Sequence, residues 1–248
     1  MTFRAVVFTY RLGEIIEILI LVVLWLAIYG KANLISGFTR NEMITYVLVG
    51  NIFSLLVRDF THHIFSEDII SGKLSFFLVK PLSHLRYFIA STIGRTMHVV
   101  TGVVSQLLVI LCFHAFIVVH VSPPVIGLIV VMLILARINE ILVNYLRGMV
   151  GFWTDEVEPV QGAVSQVQRF LTGGYFPLSL LPLGLAVFTY GLPFAYYFFI
   201  PMQLFLGKMS LADGARGLVI QIAWIGILYL LIKLVWQRGL KRYEGVNA

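Results

Sequence analysis

Charged residues are scarce in this sequence. Asp, Glu, Lys and Arg make up 12% of its 248 residues, about half the share of a soluble domain. Hydrophobic residues make up 59%, and mean hydropathy is +0.93. A soluble core of this size cannot hide so much apolar surface, which leaves a lipid bilayer as the solvent. Cysteine is nearly absent: Cys112 stands alone in an apolar run. No intrachain disulfide can form, and cysteine usage leaves the redox compartment undecided. A phosphate-binding loop is also missing. Gly30-Lys31, Gly72-Lys73 and Gly207-Lys208 are followed by Ala32, Leu74 and Met209. None supplies the Ser or Thr that holds magnesium, and none has a glycine at the required upstream offset. The chain is therefore no ATPase by itself. It has no G-x-S-x-G or H-E-x-x-H run to suggest an intramembrane hydrolase, no internal repeat and no low-complexity tract.

What is present is a series of apolar runs. About 20 mostly apolar residues cross about 30 Å of hydrocarbon. Six candidate spans follow, near residues 14–35, 41–57, 93–119, 123–150, 160–175 and 218–236. The first run follows Arg4 and Arg11 as a signal peptide would, but Glu14 and Glu17 interrupt it and Leu26-Ala27-Ile28-Tyr29 is a poor cleavage site. It reads as a retained anchor. Residues 1–13 place Phe3, Val6, Val7 and Tyr10 near one helical face with Arg4 and Arg11 off it. This is the pattern of an interfacial helix, with a frayed tail as the alternative. Residues 176–208 carry Pro177, Pro182, Pro193 and Pro201, which break a straight helix. They predict short helices re-entering one leaflet, packed on protein so that backbone polar groups are satisfied.

The net charge of +6 is spread over the ends of these runs. That pattern fits membrane topology and not a nucleic-acid partner. Arg4, Arg11, Arg58, Lys73, Lys80, Arg86, Arg95, Arg147, Arg238, Lys241 and Arg242 fall on one side; Lys31, Arg40, Lys208 and Arg216 fall on the other. The excess places both termini in the cytoplasm. It places there too the charged island of residues 58–86, which lies between Met43–Val57 and Met97–Val121, segments free of Asp, Glu, Lys and Arg. Ile64, Phe65, Ile69 and Ile70 share a broad helical face of the island, Gly72 breaks the helix, Leu74, Phe77 and Leu78 form a second apolar face, and Pro81 stops it. Such a helix either fills a groove on a soluble partner or rests on lipid headgroups.

Charges also occur inside the runs. Arg137, Glu140, Asn144 and Arg147 share one face of the fourth span, and Gln161, Ser165, Gln168, Arg169 and Thr172 share one face of the fifth. Charges in the bilayer normally face protein or water. Arg137, Glu140, Gln168 and Arg169 therefore line a transport route or a subunit seam, or they form structural pairs such as Arg137–Glu140 or Glu140–Arg169 within one subunit. An ion-coupled transporter or channel using these charges is the alternative function. Asp155, Glu156 and Glu158 precede a helix, where acids and a nearby Pro159 serve the helix start. A second partner contact remains open for them. His62-His63 point about 100° apart on a helix, and His98, His114 and His120 are too widely spaced for one site, so no metal site is expected.

Several segments together carry a resemblance. Glu67-Asp68-Ile69-Ile70-Ser71-Gly72-Lys73-Leu74, followed by Phe77-Leu78-Val79-Lys80-Pro81-Leu82, is similar to the first cytoplasmic loop of type-2 ABC-transporter permeases. Gly151-Phe152-Trp153-Thr154, Leu171 to Leu178 followed by Leu181-Pro182, Leu192 to Tyr196, Leu206-Gly207-Lys208 and Trp236 to Gly245 follow in the family's order. The match resembles most the bacterial six-span subfamily related to daunorubicin-type exporters. The resemblance implies a single permease domain over residues 1–248, working as a dimer of identical or related permeases. Each would engage an ABC-type nucleotide-binding ATPase that holds ATP and Mg, with no cofactor on this chain. It implies that Glu67, Asp68, Ile69, Ile70, Gly72, Leu74, Phe77, Leu78 and Pro81 touch that ATPase. It also implies that Gly173, Gly174, Pro177 and Pro182 begin an outer-leaflet re-entrant element, that transport is export, and that the membrane is the bacterial inner membrane. The expected fold is all-α: a polytopic membrane protein with six transmembrane helices, an N-terminal interfacial helix and a re-entrant element between spans five and six.

Overall fold

In lipid each backbone polar group must pair within its own segment, and the chain is accordingly almost all helix. The computed structural model describes residues 2–58, 61–79, 83–94 and 97–247. Helix α1 is Thr2–Tyr29, and a small hairpin, β1 Leu34–Ile35 and β2 Phe38–Thr39, leads into α2, Arg40–Val57. The island forms α3, His62–Ile70, and α4, Leu74–Val79. Then come α5, His84–Gly94; α6, Met97–Cys112; α7, Pro123–Gly148; a 3-10 turn, Met149–Phe152; and α8, Val157–Thr172. The chain ends with α9, Leu183–Gly191; α10, Phe199–Phe205; and α11, Leu211–Asn247.

The protein is an all-α polytopic membrane protein. Among the described residues three helices are long and apolar enough to cross a bilayer: Arg11–Tyr29, Pro123–Phe152 and Leu211–Tyr243. Leu183–Gly191 and Pro193–Phe205, bent by 78°, make a fourth if counted as one broken span. By length and apolarity alone, the described helices do not establish the six spans expected. Helix α8 has 16 residues, about 24 Å at 1.5 Å per residue, and one of its faces is polar. Helix α2 has 18 residues and opens with Arg40 and Glu42. In the third run, α6 covers Met97–Cys112, next to residues 95–96, which lie outside the described part.

The N-terminus also differs. No break separates residues 2–13 from the first span, because α1 is one helix of 28 residues. The interfacial helix is thus not a separate element; the side chains of Phe3, Arg4, Val6, Val7 and Tyr10 lie outside the described part. The hairpin was not expected. Ser36 and Gly37 both have positive φ, 46° and 82°, the left-handed pair that a two-residue hairpin turn requires. Thr39 then caps α2: Thr39 Oγ1 accepts from Glu42 N at 3.3 Å and Glu42 Oε2 accepts from Thr39 N at 2.7 Å, a reciprocal capping box.

The main core joins α1, α2 and α10, with Val22, Met43, Ile44 and Met202 fully buried. The proline-rich segment behaves as its composition predicts. It is divided into 3-10 turns at Leu178–Leu180 and Pro193–Tyr196 and the short helices α9 and α10, and Phe199 to Leu204 are buried against protein. Helix α11 packs along α7, where Asn139 Nδ2 donates to Gln221 O at 3.2 Å and Gln221 Nε2 donates to Met132 O at 3.0 Å. Side chain to backbone bonds of this kind hold helices together where lipid supplies no hydrophobic drive.

Candidate functional site

The island is locked to the helical bundle by an aromatic stack. Phe65 of α3 is fully buried. Its ring lies 4.4 Å from Tyr145 of α7 at 12°, 4.4 Å from His84 of α5, and 6.0 Å from Trp236 of α11 at 23°. Offset stacking at these separations adds about 0.5–1.5 kcal/mol per pair beyond area burial. Hydrogen bonds hold the same elements. Ser66 Oγ donates to Gly148 O at 3.0 Å, and Tyr243 Oη donates to Gly72 O at 3.2 Å and lies 2.8 Å from Ser75 Oγ. Gly72 closes α3 with φ +77°, a conformation that side chains with a Cβ resist. These contacts tie α3 to α5, α7 and α11.

His84 sits inside this junction, 4% exposed. Its Nδ1 is 3.2 Å from Tyr145 Oη and its Nε2 is 3.6 Å from Asp68 Oδ2. Burial pushes the imidazole below its ordinary pKa, against the opposing pull of the Asp68 carboxylate.

The structure divides the residues expected to meet a partner. Asp68, Ile69 and Leu74 are buried within the chain, as is Phe65, while Ile64 is partly buried. Phe77 is half-buried, 4.8 Å edge-on to His84. Glu67, Ile70, Gly72 and Leu78 are exposed, together with Phe76 and Val79. Pro81 lies outside the described residues, as do Lys80, Leu82 and Arg95 and the side chains of His62 and His98. The division follows from helical geometry: Phe65 and Ile69 are four apart on one stripe, and Ile70 turns about 100° away. Beside the exposed Ile70 a cavity of about 240 Å³ opens among Gly72, Trp153, Asp155, Arg242 and Tyr243. The sequence reading missed His84, Tyr145, Trp236 and Tyr243. Trp236 and Tyr243 lie in the Trp236 to Gly245 segment that carries the resemblance, and aromatic type was the only signal for His84 and Tyr145.

A second constellation lies between α7 and α8, and it brings both expected polar faces together. Arg147 Nε donates to Gln161 Oε1 at 2.9 Å, Nη1 to Asn144 Oδ1 at 3.3 Å and Gln168 Oε1 at 3.2 Å, and Nη2 to Gln161 O at 3.1 Å and Ser165 Oγ at 2.7 Å. Five bonds are the full donor capacity of a guanidinium. Glu140 accepts from Asn144 Nδ2 at 3.2 Å and Gln168 Nε2 at 2.5 Å, in the field of Arg58 and Arg147. Arg137 turns instead to α2, donating to Val57 O at 3.1 Å and Arg58 O at 2.9 Å. Arg169 pairs with Glu17 of α1 and lies 4.6 Å over the Tyr175 ring.

The Gly173–Pro182 stretch follows directly. Gly173 ends α8 at φ +80°, and a Cβ there would come within 2.8 Å of Tyr46 Oη, which donates to Gly173 O at 2.6 Å. Gly174 and Pro177 are buried and Pro182 is exposed at the start of α9. The acidic turn before α8 is exposed at Asp155, Glu156 and Glu158. Glu156 makes no side-chain cap, and Thr154 Oγ1 accepts from Glu156 N at 3.1 Å instead.

A family model described as ABC-2 family transporter protein matches residues 15–246, nearly the whole chain. No curated protein matches the sequence.

Proposed function

We propose, because this chain belongs to the ABC-2 transporter family, that it is the permease subunit of an ATP-driven exporter gripped by its ATPase at the α3–α4 island. ATP and Mg reside on that partner, since this sequence has no loop to hold them. Two permeases, identical or related, stand side by side in the bacterial inner membrane with termini and island in the cytoplasm. The resemblance of its loop segments to the daunorubicin-type exporters supports export as the direction of transport.

The observation that carries the reading is the two-faced build of α3. Phe65 and Ile69 anchor it inward while Glu67 and Ile70 stay exposed. A helix held on one side and free on the other suits a lever. Closure of the ATPase pair presses on the exposed side, and the Phe65 stack passes the displacement to α5, α7 and α11, which changes access along the subunit seam. The α7–α8 polar network serves this motion as a rigid joint within one subunit. Arg147 has no donor left over for a transported molecule.

Ile70→Asp tests the docking role. Ile70 is 45% exposed, so the substitution leaves insertion and folding intact. Purification in mild detergent with mass spectrometry of the bound chains is expected to recover an ATPase with the parent and to lose it with the variant. Undiminished recovery with Ile70→Asp overturns the assignment of the site.

A further inference from the structure

A second cavity near the island lies beside α4 and α5, apart from the one that opens next to Ile70. It has a volume of about 480 Å³ and is walled by α4, the start of α5, α7 and α11, within the size range of small-ligand sites. Its walls are apolar and aromatic, Phe77, Leu85, Ile232 and Trp236 among them. Leu78 and Tyr229, both 43% exposed, open it to the outside. Besides His84 and the tyrosines Tyr145 and Tyr229, its polar lining residues are Ser83, Gln237 and Lys233. Among the described residues no acidic side chain lines it.

Lys233 is the unusual member. It lies inside the apolar stretch of α11 and rests 4.6 Å over the Tyr229 ring. Among the described residues no carboxylate lies within ion-pair distance of it. A lysine in such a run snorkels toward the headgroups. The level of that boundary is legible on α11: the apolar stretch ends at Trp236, and Gln237, Arg238, Lys241 and Arg242 follow. Tryptophan and tyrosine favour this boundary. The cavity thus combines a cation at headgroup depth, with no carboxylate partner among the described residues, and aromatic walls.

We propose that this cavity binds one anionic phospholipid, its phosphate on Lys233 with Ser83 and Gln237 as hydrogen-bonding neighbours and its acyl chain between Phe77, Ile232 and Trp236. The charge selects the occupant: a cation with no carboxylate partner among the described residues favours an anionic headgroup over a zwitterionic one, and the apolar walls favour a lipid over a free anion. The wall shares Phe77 and His84 with the island junction, so the lipid lies against the elements that hold α3.

The purified full-length chain in detergent micelles is titrated with dihexanoyl phosphatidylglycerol, dihexanoyl phosphatidylcholine or inorganic phosphate, and bound lipid is read by native mass spectrometry. Phosphatidylglycerol is expected to bind more tightly than phosphatidylcholine. Lys233→Gln weakens it about fivefold, from about 1 kcal/mol per basic residue at a membrane surface, and Lys233→Arg retains it. Equal binding of the two lipids, or no loss in Lys233→Gln, overturns the proposal. Displacement of the lipid by inorganic phosphate assigns a free-anion site and overturns it also. No ATPase enters the measurement, so a negative result leaves the proposed function standing.

Discussion

Glu140 is the residue on which the interior charges converge. It is 2% exposed, accepts from Asn144 and Gln168 and lies in the field of Arg58 and Arg147. Removing one member of a buried charge cluster leaves the others uncompensated, at a cost on the order of 3–5 kcal/mol. Glu140→Gln keeps the shape but presents an amide N–H to one of the donors that the carboxylate now accepts. The expected outcome is a lower melting temperature of the detergent-solubilised chain and a smaller yield of assembled permease. A variant that assembles and melts like the parent, yet transports differently, places Glu140 on the transport route and removes it from the structural joint. The sequence made the two polar faces visible through their spacing of three and four. It did not tell which charges meet. Arg169 reaches α1 and Arg137 reaches the end of α2, partners more than 70 positions away that no local pattern encodes.

At the level of elements, α3 is seated by a close backbone approach. A Cβ on Gly151 would lie 3.2 Å from both Ser66 Cα and Ser66 O, closer than backbone atoms readily yield. Gly151→Ala therefore moves α3 outward by a few tenths of an ångström and stretches the Ser66–Gly148 hydrogen bond, worth about 1 kcal/mol. The chain still inserts and still presents Ile70, so the ATPase is expected to copurify while its hydrolysis drives several-fold less transport in vesicles. Parental coupling in Gly151→Ala shows that the seat of α3 transmits nothing. Other elements were legible for clear reasons. Four prolines announced the broken segment that becomes α9 and α10, and the polar stripe of α8 announced its inward face. The apolar face of α3 was legible as a stripe, but its cover was not. Phe65 finds Tyr145, His84 and Trp236 on three other helices, and a single sequence does not reveal which surface is met from inside and which from outside. The hairpin escaped notice because two-residue strands carry no periodicity.

For the whole molecule, α11 supplies a ruler. Lys208, just before it, donates to Gly37 O of the hairpin at 2.7 Å and pairs with Glu42 at 2.8 Å. Tyr243, near its far end, holds Gly72 of the island. Leu211 to Tyr243 is 33 residues of helix, about 50 Å at 1.5 Å per residue, more than the thickness of a bilayer with its headgroups. The hairpin and the island therefore stand at opposite ends of the bundle. The proposed function requires the island end to be cytoplasmic, as the excess of Lys and Arg on that side predicts. Leu34, 61% exposed, and Glu67, with a side chain 69% exposed, report the two ends. The sole cysteine, Cys112, is exposed and tolerates Cys112→Ser. On that background, a membrane-impermeant maleimide applied to intact spheroplasts is expected to label Leu34→Cys, and to label Glu67→Cys only after permeabilisation. Labelling of Glu67→Cys from outside would put the island beyond the reach of any cytosolic ATPase, and the lever would then have nothing to push it.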